Sequence, residues 1–251
     1  MIVTFLSDFG SYYPGIVKGV ILSICPKARI VDISHNVKPF YVKQGAFLLY
    51  NVVNYFSNAV HLAVVDPGVG GGRKPIIIEC EDSYFVGPDN GLLSPAAELK
   101  GIKAIYEIDP SVCLQYVGEI SKTFHARDIF APAAALLARG IEAEEIGRKT
   151  KNYVKLKLFP EVINNKVICE AIYIDRFGNI VTNVKAEYVK NKKFVWFKDK
   201  KIPIVNCYEK VSKKRALAIV GSFNTLEISL REGNASKYFN VNAGDKMLLS
   251  L

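Results

Sequence analysis

The run from Val60 to Val65 and the segment after it constrain the fold more than any other part of the sequence. This mostly hydrophobic stretch ends abruptly at Asp66, and four glycines then precede Arg73 and Lys74. A carboxylate at the end of a buried strand, followed by a tight glycine-rich turn, indicates a binding site at the carboxyl edge of an open α/β sheet. The alternative is a flexible turn between two strands. The segment lacks the Gly-Lys-Ser/Thr ending of a Walker loop and precedes no evident helix, so neither common phosphate-binding fingerprint applies.

The first 150 residues alternate between apolar strands and helical patterns. We predict strands at 2–6, 29–33, 60–65, 75–79 and 103–107, and helices near 15–24, 43–55, 92–99 and 127–139. This alternation is typical of a mainly parallel sheet covered by helices. Short strands follow at 167–174, 180–184, 194–197, 216–220, 225–230 and 246–250, as in a small antiparallel barrel or sandwich. We therefore expect an α/β N-terminal domain over residues 1–155 and a β-rich C-terminal domain over residues 160–251.

Composition excludes several classes of protein. The chain has 251 residues, 50% of them hydrophobic and 23% charged, which suffices to bury one large core or two smaller ones. Its five cysteines are far apart and include no Cys-x-x-Cys pair, which argues against a disulfide framework and against a zinc site. No run of about 20 apolar residues exists, and the first residues indicate a strand rather than a leader. We expect a cytoplasmic protein with reduced, mostly buried thiols and no membrane span.

The net charge of +9 is concentrated in one segment. Eleven Lys or Arg residues and only three acidic residues fall between Lys185 and Arg215. The segment also contains the aromatic run from Phe194 to Phe197, and aromatic residues among lysines can form a face that binds single-stranded nucleic acid. The lysines flank this run instead of alternating through it, which favours an exposed hairpin whose lysines keep an edge strand soluble. We therefore do not expect nucleic acid as a partner.

Four other motifs accompany the Asp66 segment. They are Ser7-Asp8-Phe9-Gly10 after the first strand, Val31-Asp32-Ile33-Ser34-His35, the run from Ser121 to Phe130 at a helix entry, and the run from Ile174 to Asn179. In this order the five motifs resemble the S-adenosylmethionine hydroxide adenosyltransferases, the hydrolytic relatives of the bacterial fluorinase and chlorinase. The resemblance extends from Phe5 to about Asn234. It implies the two domains above and a homotrimer, in which the N-terminal domain of one subunit meets the C-terminal domain of the next around the ligand.

The resemblance also implies a reaction. Members of the family direct water to the ribose C5′ of S-adenosylmethionine, which releases methionine and leaves adenosine. A sulfonium is already an activated leaving group, so we expect neither a metal nor a cofactor, and S-adenosylmethionine is the expected substrate. The reaction requires a water molecule in line with the C5′–S bond, an acceptor for its proton, and exclusion of other nucleophiles.

Asp66, Arg73 and His125 match the catalytic Asp, Arg and His of this family. Asp66 is expected to accept a hydrogen bond from the water, and the other two to orient the water and stabilise its hydroxide character. The sequence leaves open which residue accepts the proton, although a histidine titrates closest to neutral pH. The alternative for His125 is a structural role at the helix entry, where Arg127 and Asp128 are expected to form a scaffold.

Nine residues match positions that bind the substrate in this family. Asp8 is expected to accept hydrogen bonds from both ribose hydroxyls, with capping of the following helix as the alternative. Phe40 is expected to line the region of the ribose and the sulfonium. The others are Asp175 for the methionine amino group, Phe177 and Asn179 for adenine, Ser222 and Asn224 for the methionine carboxylate, and the backbone around Asn234 and Ala235 for the adenine edge.

The sequence departs from the family pattern in two places. Tyr12 and Tyr13 stand where many relatives have small residues, near the expected methionine end. Ala126 stands where the halogenases carry a hydroxyl that binds halide, which argues against halogenation. Two alternatives to hydrolysis stay open: adenosyl transfer to halide or another small nucleophile, and a nucleoside-binding or nucleic-acid-binding module without chemistry. His35 and His61 are expected to be structural.

Overall fold

The computed structural model describes every residue from Met1 to Leu251, and the chain forms two compact units, Met1–Leu156 and Lys157–Leu251. The strands of the first unit are β1 (Ile2–Ser7), β2 (Arg29–Ser34), β3 (Ala59–Val64), β4 (Pro75–Cys80), β5 (Ser83–Pro88), β6 (Ile102–Ile108) and β7 (Gly147–Thr150). Its helices are α1 (Tyr13–Ile24), α2 (Val42–Val52), α3 (Ser94–Leu99), α4 (Pro110–Val117), α5 (Ala131–Arg139) and α6 (Ala143–Ile146). The second unit contains β8 (Lys166–Ile174), β9 (Ile180–Lys185), β10 (Phe194–Phe197), β11 (Lys200–Pro203), β12 (Ala216–Val220), β13 (Thr225–Leu230), α7 (Ala235–Phe239) and β14 (Lys246–Ser250). None of the helices combines the length and the apolar character needed to cross a membrane.

A seven-stranded sheet with the order β2-β1-β3-β5-β4-β6-β7 forms the centre of the first unit. Strands β2, β1, β3 and β5 are parallel to one another, and β4, β6 and β7 extend the sheet with antiparallel pairings. Helix α1 buries Val17 and Ile21 against one face, because a spacing of four places both on the same side of a helix. Helix α2 covers the other face, where Gly45 lies against Leu6. The predicted α/β class is confirmed.

The register of the parallel strands brings two acidic residues to one edge of the sheet. Ser7 at the end of β1 pairs with Val64 at the end of β3. Asp8 directly follows Ser7, and Asp66 comes two residues after Val64. Both carboxylates therefore leave adjacent strands at the carboxyl edge, where open α/β sheets place their ligands.

The sequence prediction omits the central strand β5. The run Val86-Gly87-Pro88 followed by Asp89-Asn90-Gly91 predicts a turn, yet the residues up to Pro88 form a strand between β3 and β4 in the sheet. Phe85 and Val86 are fully buried, and a Cβ at Gly87 would lie 2.2 Å from the carbonyl oxygen of Ala63. Burial and a close approach to β3 therefore override the local turn propensity. The prediction also omits the short elements α4, α6, β7, β11 and α7.

The second unit is an antiparallel sheet that curls toward a barrel. Its strand order is β11-β10-β14-β8-β9-β13-β12. Beyond β11 the chain reaches β12 at the far end of this order, where the N–H of Val205 donates to the carbonyl of Ala218 at 2.9 Å. The interior is an apolar core to which β8, β13 and β14 contribute Val167, Ile228 and Leu249. The predicted small antiparallel β-domain is confirmed.

The basic segment forms a hairpin of β10 and β11 on this sheet. Val195 and Phe197 are buried, whereas Phe194 and Trp196 are exposed. The Nζ atom of Lys201 lies 4.1 Å from the centre of the Phe194 ring. A lysine on the neighbouring strand therefore covers part of the exposed aromatic surface, as its long aliphatic stem allows.

All five cysteines are free, and Cys207 alone is exposed. Burial raises the pKa of the Cys80, Cys113 and Cys169 thiols to about 12. These thiols therefore stay protonated near neutral pH and behave as apolar core groups.

Candidate active site

The glycine-rich loop between β3 and β4 packs against the segment that carries His125. Gly70 of this loop has a φ of +74°, and a Cβ there would lie 2.1 Å from the carbonyl oxygen of Lys122. Only glycine permits both this conformation and this approach. The loop thereby brings Asp66 and Arg73 close to a segment that lies far along the chain.

Asp66 and Arg73 form a bidentate ion pair. The Nε atom of Arg73 lies 3.0 and 2.9 Å from the two carboxylate oxygens, and Nη2 also donates to Oδ2. The side chains of Asp66 and Arg73 are 5% and 10% exposed, and the guanidinium carbon lies 5.1 Å from the centre of the Phe130 ring. A two-point contact in such surroundings fixes the orientation of both groups. Asp66 is therefore held as an oriented anion at the edge of the sheet.

His125 joins this pair through Arg73. Its Nδ1 atom lies 2.8 Å from Nη2 of Arg73. A guanidinium can only donate, so Nδ1 accepts and the neutral ring carries its proton on Nε2. Burial, followed by the positive charge of Arg73, lowers the pKa of His125, which favours this neutral form. In this arrangement His125 presents an N–H donor at Nε2.

Asp128 stabilises the segment on which His125 is placed. This residue is buried, and its Oδ2 accepts the backbone N–H of Ser121 at 2.8 Å and Nη2 of Arg127 at 2.9 Å. Residues Ala126–Phe130 form a π-helical turn at the entry to α5. Such turns are frequent at functional sites. Arg127 and Asp128 therefore form the scaffold predicted for His125.

A second turn stabilises the end of β3 before Asp66. Nδ2 of Asn90 donates to the carbonyl of Val65 at 2.8 Å, and Oδ1 of Asn90 accepts the N–H of Leu92 at 3.1 Å. This amide therefore connects the turn after β5 to the strand end. The turn that contains Asn90 thereby helps to fix the position of Asp66, the next residue after Val65.

Asp8 lies beside an aromatic residue with an unusual backbone. Its Oδ2 accepts the backbone N–H of Phe40 at 2.9 Å. Phe40 has a φ of +67°, and its side chain is 73% exposed. A bulky residue adopts a left-handed conformation only where other interactions hold it. No side chain caps α1, so the helix-capping alternative for Asp8 does not apply.

The second unit contains a pocket of about 920 Å³ that four of the predicted residues line. These four residues are Asp175, Phe177, Asn179 and Ser222. Oδ1 of Asp175 accepts the backbone N–H groups of Phe177 and Asn179, each at 2.9 Å, and Oδ2 accepts Nδ2 of Asn179 at 2.9 Å. Asp175 therefore organises the turn that carries its two neighbours in the pocket, as aspartates often do.

The remaining predicted residues lie around this turn and outside the pocket lining. Asn224 is in the loop between β12 and β13, at a φ of +55°. Oδ1 of Asn234 accepts the N–H of Lys237 at 2.7 Å and so caps α7, and Ala235 is fully buried. A Cβ at Gly178 would lie 2.2 Å from the Asn234 side chain, which places the start of α7 against the turn of Asp175.

The sequence prediction misses two residues of the same pocket, Tyr208 and Glu227. Glu227 is 8% exposed, and its Oε1 accepts the hydroxyls of Tyr208 at 2.7 Å and Ser229 at 2.6 Å. Burial and the hydrogen bond to Glu227 raise the pKa of Tyr208 to about 12. The available signal is the polar and apolar alternation along β13, but the same pattern describes a solvent-exposed strand face.

The two other histidines occupy structural positions, in agreement with the prediction. His61 is fully buried, its Nδ1 lies 2.8 Å from Oγ1 of Thr4, and burial lowers its pKa to about 4. Nδ1 of His35 lies 2.8 Å from Oγ of Ser7 and fixes the end of β1. No group of three or more His, Cys, Asp or Glu side chains is arranged to hold a metal ion.

Two family models match the chain, the N-terminal domain of SAM hydroxide adenosyltransferases over residues 3–147 and their C-terminal domain over residues 169–248. The chain belongs to the S-adenosylmethionine hydroxide adenosyltransferase family. The chain is 38% identical to the (R)-S-adenosyl-L-methionine hydrolase of Methanocaldococcus jannaschii, over 98% of this chain and 94% of that protein. The predicted resemblance is confirmed.

The chain is also similar to a solved structure and to a more distant relative. The crystal structure of an uncharacterized conserved protein from Thermotoga maritima matches with a TM-score of 0.88 and 37% identity, covering 99% of this chain and all of that one. A fluorinase of Actinoplanes sp. is 28% identical over 73% of this chain and 71% of that protein. The chain is therefore more similar in sequence to the hydrolase than to this fluorinase.

Proposed function

We propose that this protein hydrolyses S-adenosylmethionine to adenosine and methionine. The observation that carries the proposal is the cluster in which one buried guanidinium, that of Arg73, contacts both Asp66 and His125. The name of the Methanocaldococcus jannaschii relative supports the same reaction. A cluster of one anion, one cation and one neutral N–H donor provides what an attacking water needs: an acceptor, a fixed orientation and stabilisation of negative charge.

The reaction is an in-line displacement at the ribose C5′. The water oxygen forms the new C5′–O bond while the C5′–S bond breaks, and the electron pair of that bond remains on sulfur. The positive sulfonium thereby becomes the neutral thioether of methionine. Loss of one proton from the water leaves the 5′-hydroxyl of adenosine. No metal or cofactor has a role in this step, because the sulfonium is already an activated leaving group.

Asp66 is the proton acceptor in this mechanism. His125 cannot take the proton at Nε2, since Arg73 occupies Nδ1 and the neutral ring already carries hydrogen on Nε2. The Nε2–H of His125 and the charge of Arg73 instead stabilise the hydroxide character of the attacking water. A carboxylate has lone pairs on both oxygens beyond those that Arg73 engages. Asp66 can therefore accept a hydrogen bond from the water while it keeps its hydrogen bonds from Arg73.

The other predicted residues bind the substrate. Asp8 accepts the ribose hydroxyls through Oδ1, while its Oδ2 keeps the bond to Phe40. The exposed ring of Phe40 faces the sulfonium, which a flat aromatic face attracts. The exposed ring of Phe177 stacks on adenine, and Asn179 supplies an amide for the adenine edge. Ser222 and Asn224 hold the methionine carboxylate, and the backbone of Asn234 and Ala235 lies along adenine.

We further propose a homotrimer in which residues of both kinds of unit, from neighbouring subunits, complete each site. Mixing two defective variants tests this arrangement. Asp66→Asn inactivates the first unit and Asn179→Ala weakens the second, so mixed trimers should regain about a quarter of the wild-type sites by random assortment. Sedimentation of an active monomer, or no recovery after subunit exchange has been verified by mass spectrometry, would contradict this proposal.

The relative's name specifies the (R) configuration at the sulfonium, and we propose the same stereochemical preference here. A sulfonium with three different substituents is stereogenic, so the two diastereomers direct the C5′–S bond differently in one pocket. Separate incubations with the (R) and (S) forms should give a higher kcat/KM for the (R) form. Equal values would remove the stereochemical part of the proposal and leave hydrolysis intact.

Chromatography of the products tests the reaction itself. Purified protein with S-adenosylmethionine and a chelator should yield adenosine and methionine in equal amounts, and ¹⁸O from labelled water should enter the adenosine 5′-hydroxyl. Label elsewhere, or activity that requires an added divalent ion, would contradict the mechanism. A 5′-halo product formed in chloride or fluoride would favour the halide alternative, which the buried Ala126 argues against. Binding of nucleoside without any product would indicate a binding module.

We also place the enzyme in the cytoplasm. All five cysteines are free thiols, and Cys207 is exposed. Exposed free thiols persist in reducing compartments and are oxidised outside them. Cell fractionation with an antibody should find the protein with cytoplasmic markers.

A further inference from the structure

Glu227 is the most buried acidic residue in the lining of the second unit's pocket. It lies on β13, where its cross-strand neighbours are the apolar residues Ile219 on β12 and Val181 on β9. No lysine or arginine forms an ion pair with it, and its two hydrogen bonds come from the neutral hydroxyls of Tyr208 and Ser229. A buried carboxylate without a cationic partner is costly, so its presence in a pocket points to a partner outside the protein.

The two oxygens of Glu227 differ in their surroundings. Both protein hydrogen bonds go to Oε1. Oε2 lies beside Gly221, where an added Cβ would be only 3.1 Å away. The next residue, Ser222, lines the same pocket. The lining therefore combines an acceptor oxygen that has no protein donor with a residue that carries a hydroxyl group.

Asp175, another carboxylate of this lining, has fewer free acceptor positions. Three hydrogen bonds from its own turn occupy both of its oxygens. These bonds come from Phe177 and Asn179, and they maintain the shape of the turn. Glu227 therefore retains more free acceptor capacity than Asp175 at this pocket.

We propose that Glu227 binds the α-ammonium group of the substrate, so that two carboxylates, those of Asp175 and Glu227, contact this group. The proposal rests on the proposed function, because it takes S-adenosylmethionine as the substrate. An ammonium group supplies both the positive charge and the N–H donors that Oε2 lacks. The neutral amine of adenine would leave the buried charge uncompensated, and a sulfonium has no N–H. Ser222, which lines the same pocket, is the residue expected to hold the carboxylate on the same substrate carbon.

The test combines a change in the protein with a change in the ligand. Glu227→Gln keeps an oxygen for Tyr208 and Ser229 and removes the charge. It should raise the KM for S-adenosylmethionine about ten- to hundredfold, the range of hydrogen bonds to charged groups, and leave kcat within about twofold. Titration calorimetry in the Asp66→Asn background should show the same loss of affinity without consumption of the ligand. Glu187→Gln, which removes an exposed charge from the same unit, is the matched control.

A deaminated analogue, with hydrogen in place of the α-amino group, identifies the contacted group. Wild type should bind it about ten- to hundredfold more weakly than S-adenosylmethionine, and Glu227→Gln should lose most of this preference and keep only the part that Asp175 supplies. Affinity for adenosine should not change. A loss of adenosine affinity in Glu227→Gln would move the contact to adenine and overturn the proposal, as would unchanged affinity for S-adenosylmethionine.

Two further measurements separate this inference from folding and from the reaction. If Glu227→Gln does not fold, as judged by its thermal transition, the test is the affinity of wild type for S-adenosylmethionine and for the deaminated analogue. Equal affinities overturn the proposal. If wild type binds S-adenosylmethionine with the expected dependence on the α-amino group but forms no adenosine, the hydrolytic function fails and this binding role stands. Absence of any binding overturns both.

Discussion

The two units fix their functional side chains in different ways. In the first, Asp66, Arg73 and His125 come from distant segments and are held by contacts with one another. In the second, Phe177 and Asn179 come from one turn, and the carboxylate of Asp175 accepts their backbone N–H groups. A change at one residue of the first set therefore disturbs its partners, whereas truncation of the Phe177 side chain leaves the bonds that hold its turn in place.

This difference corresponds to the demands of the proposed reaction. Displacement at carbon requires a water molecule placed within a fraction of an ångström, and mutual contacts among buried charges supply that rigidity. Recognition of a base and an amino acid tolerates more freedom, because each group contributes its own share of the affinity. We expect substitutions in the first unit to change turnover and substitutions in the second to change affinity.

The largest expected effect is that of Asp66→Asn. The amide can still accept a hydrogen bond from Arg73, but it is not a base. We expect kcat to fall by about a hundredfold or more, with little change in the Kd for S-adenosylmethionine. Single-turnover kinetics and titration calorimetry measure the two quantities separately.

The control for this variant is Asp82→Asn, which alters another ion-paired carboxylate of the first unit, that of Asp82 with Lys100. It should leave kcat unchanged. Normal turnover in Asp66→Asn, or a defect confined to binding, would remove Asp66 from the chemistry and make it a turn carboxylate.

Asp8 is the exception that sharpens the comparison, since it lies in the first unit and is expected to affect binding. Asp8→Asn can keep one oxygen for the N–H of Phe40 while the other becomes a donor. We expect affinity for adenosine to fall about ten- to hundredfold, the range for hydrogen bonds to a charged acceptor. The variant and wild type should bind 2′,3′-dideoxyadenosine equally. An equal loss for both ligands would show that Asp8 acts by shaping the Phe40 loop and does not contact ribose.

The sequence predicts which edge of the first sheet carries the catalytic residues better than it predicts the contacts among those residues. The apolar runs that end at Ser7 and Val65 predict β1 and β3, and the parallel register then brings Asp8 and Asp66 to one edge. Arg73 and His125 are recognised through the family resemblance. Their joint contact depends on Gly70 fitting beneath Lys122, a tertiary approach that no local pattern encodes.

Glu227 is a pocket residue that the sequence does not predict. Its position on β13, between the apolar residues Leu226 and Ile228, satisfies the simple alternation of an exposed strand face. Only the surrounding pocket, with Tyr208 above the carboxylate oxygen, shows that this face is buried. Strand β5 is missed for a related reason, because burial between β3 and β4 decides its structure.

The fall of kcat/KM at acid pH tests whether the catalytic residues of the first unit depend on the contact between His125 and Arg73. Burial and Arg73 lower the pKa of His125 below its ordinary value of 6.5, so the neutral ring is the working form above that value. Protonation at Nδ1 would set an N–H against the donors of Arg73 and break their contact. We expect kcat/KM to be constant above pH 6.5 and to fall about tenfold per unit once the pH drops below the lowered pKa.

His125→Asn is the matched variant for this test. Its Oδ1 can accept from Arg73 near the position of Nδ1, but the amide does not titrate. We expect the kcat/KM of this variant to be lower than that of wild type and not to show the fall at acid pH that protonation of His125 causes in wild type. A wild-type profile that stays flat to the unfolding pH would show that the neutral ring is not required.

The smallest expected effect belongs to Phe177, which is 73% exposed and whose backbone N–H donates to the carboxylate of Asp175. Phe177→Ala removes a stacking surface and leaves the hydrogen bonds of Asp175 in place, so the turn should persist. Loss of one base–aromatic stack should weaken adenosine binding about five- to tenfold and leave kcat at saturating substrate unchanged. Phe194→Ala, which removes an exposed aromatic ring outside the pocket, is the control and should bind adenosine like wild type. A fall in kcat for Phe177→Ala that matches its fall in affinity would mean that the second unit also positions the reacting atoms, and the division between catalysis in one unit and recognition in the other would not hold.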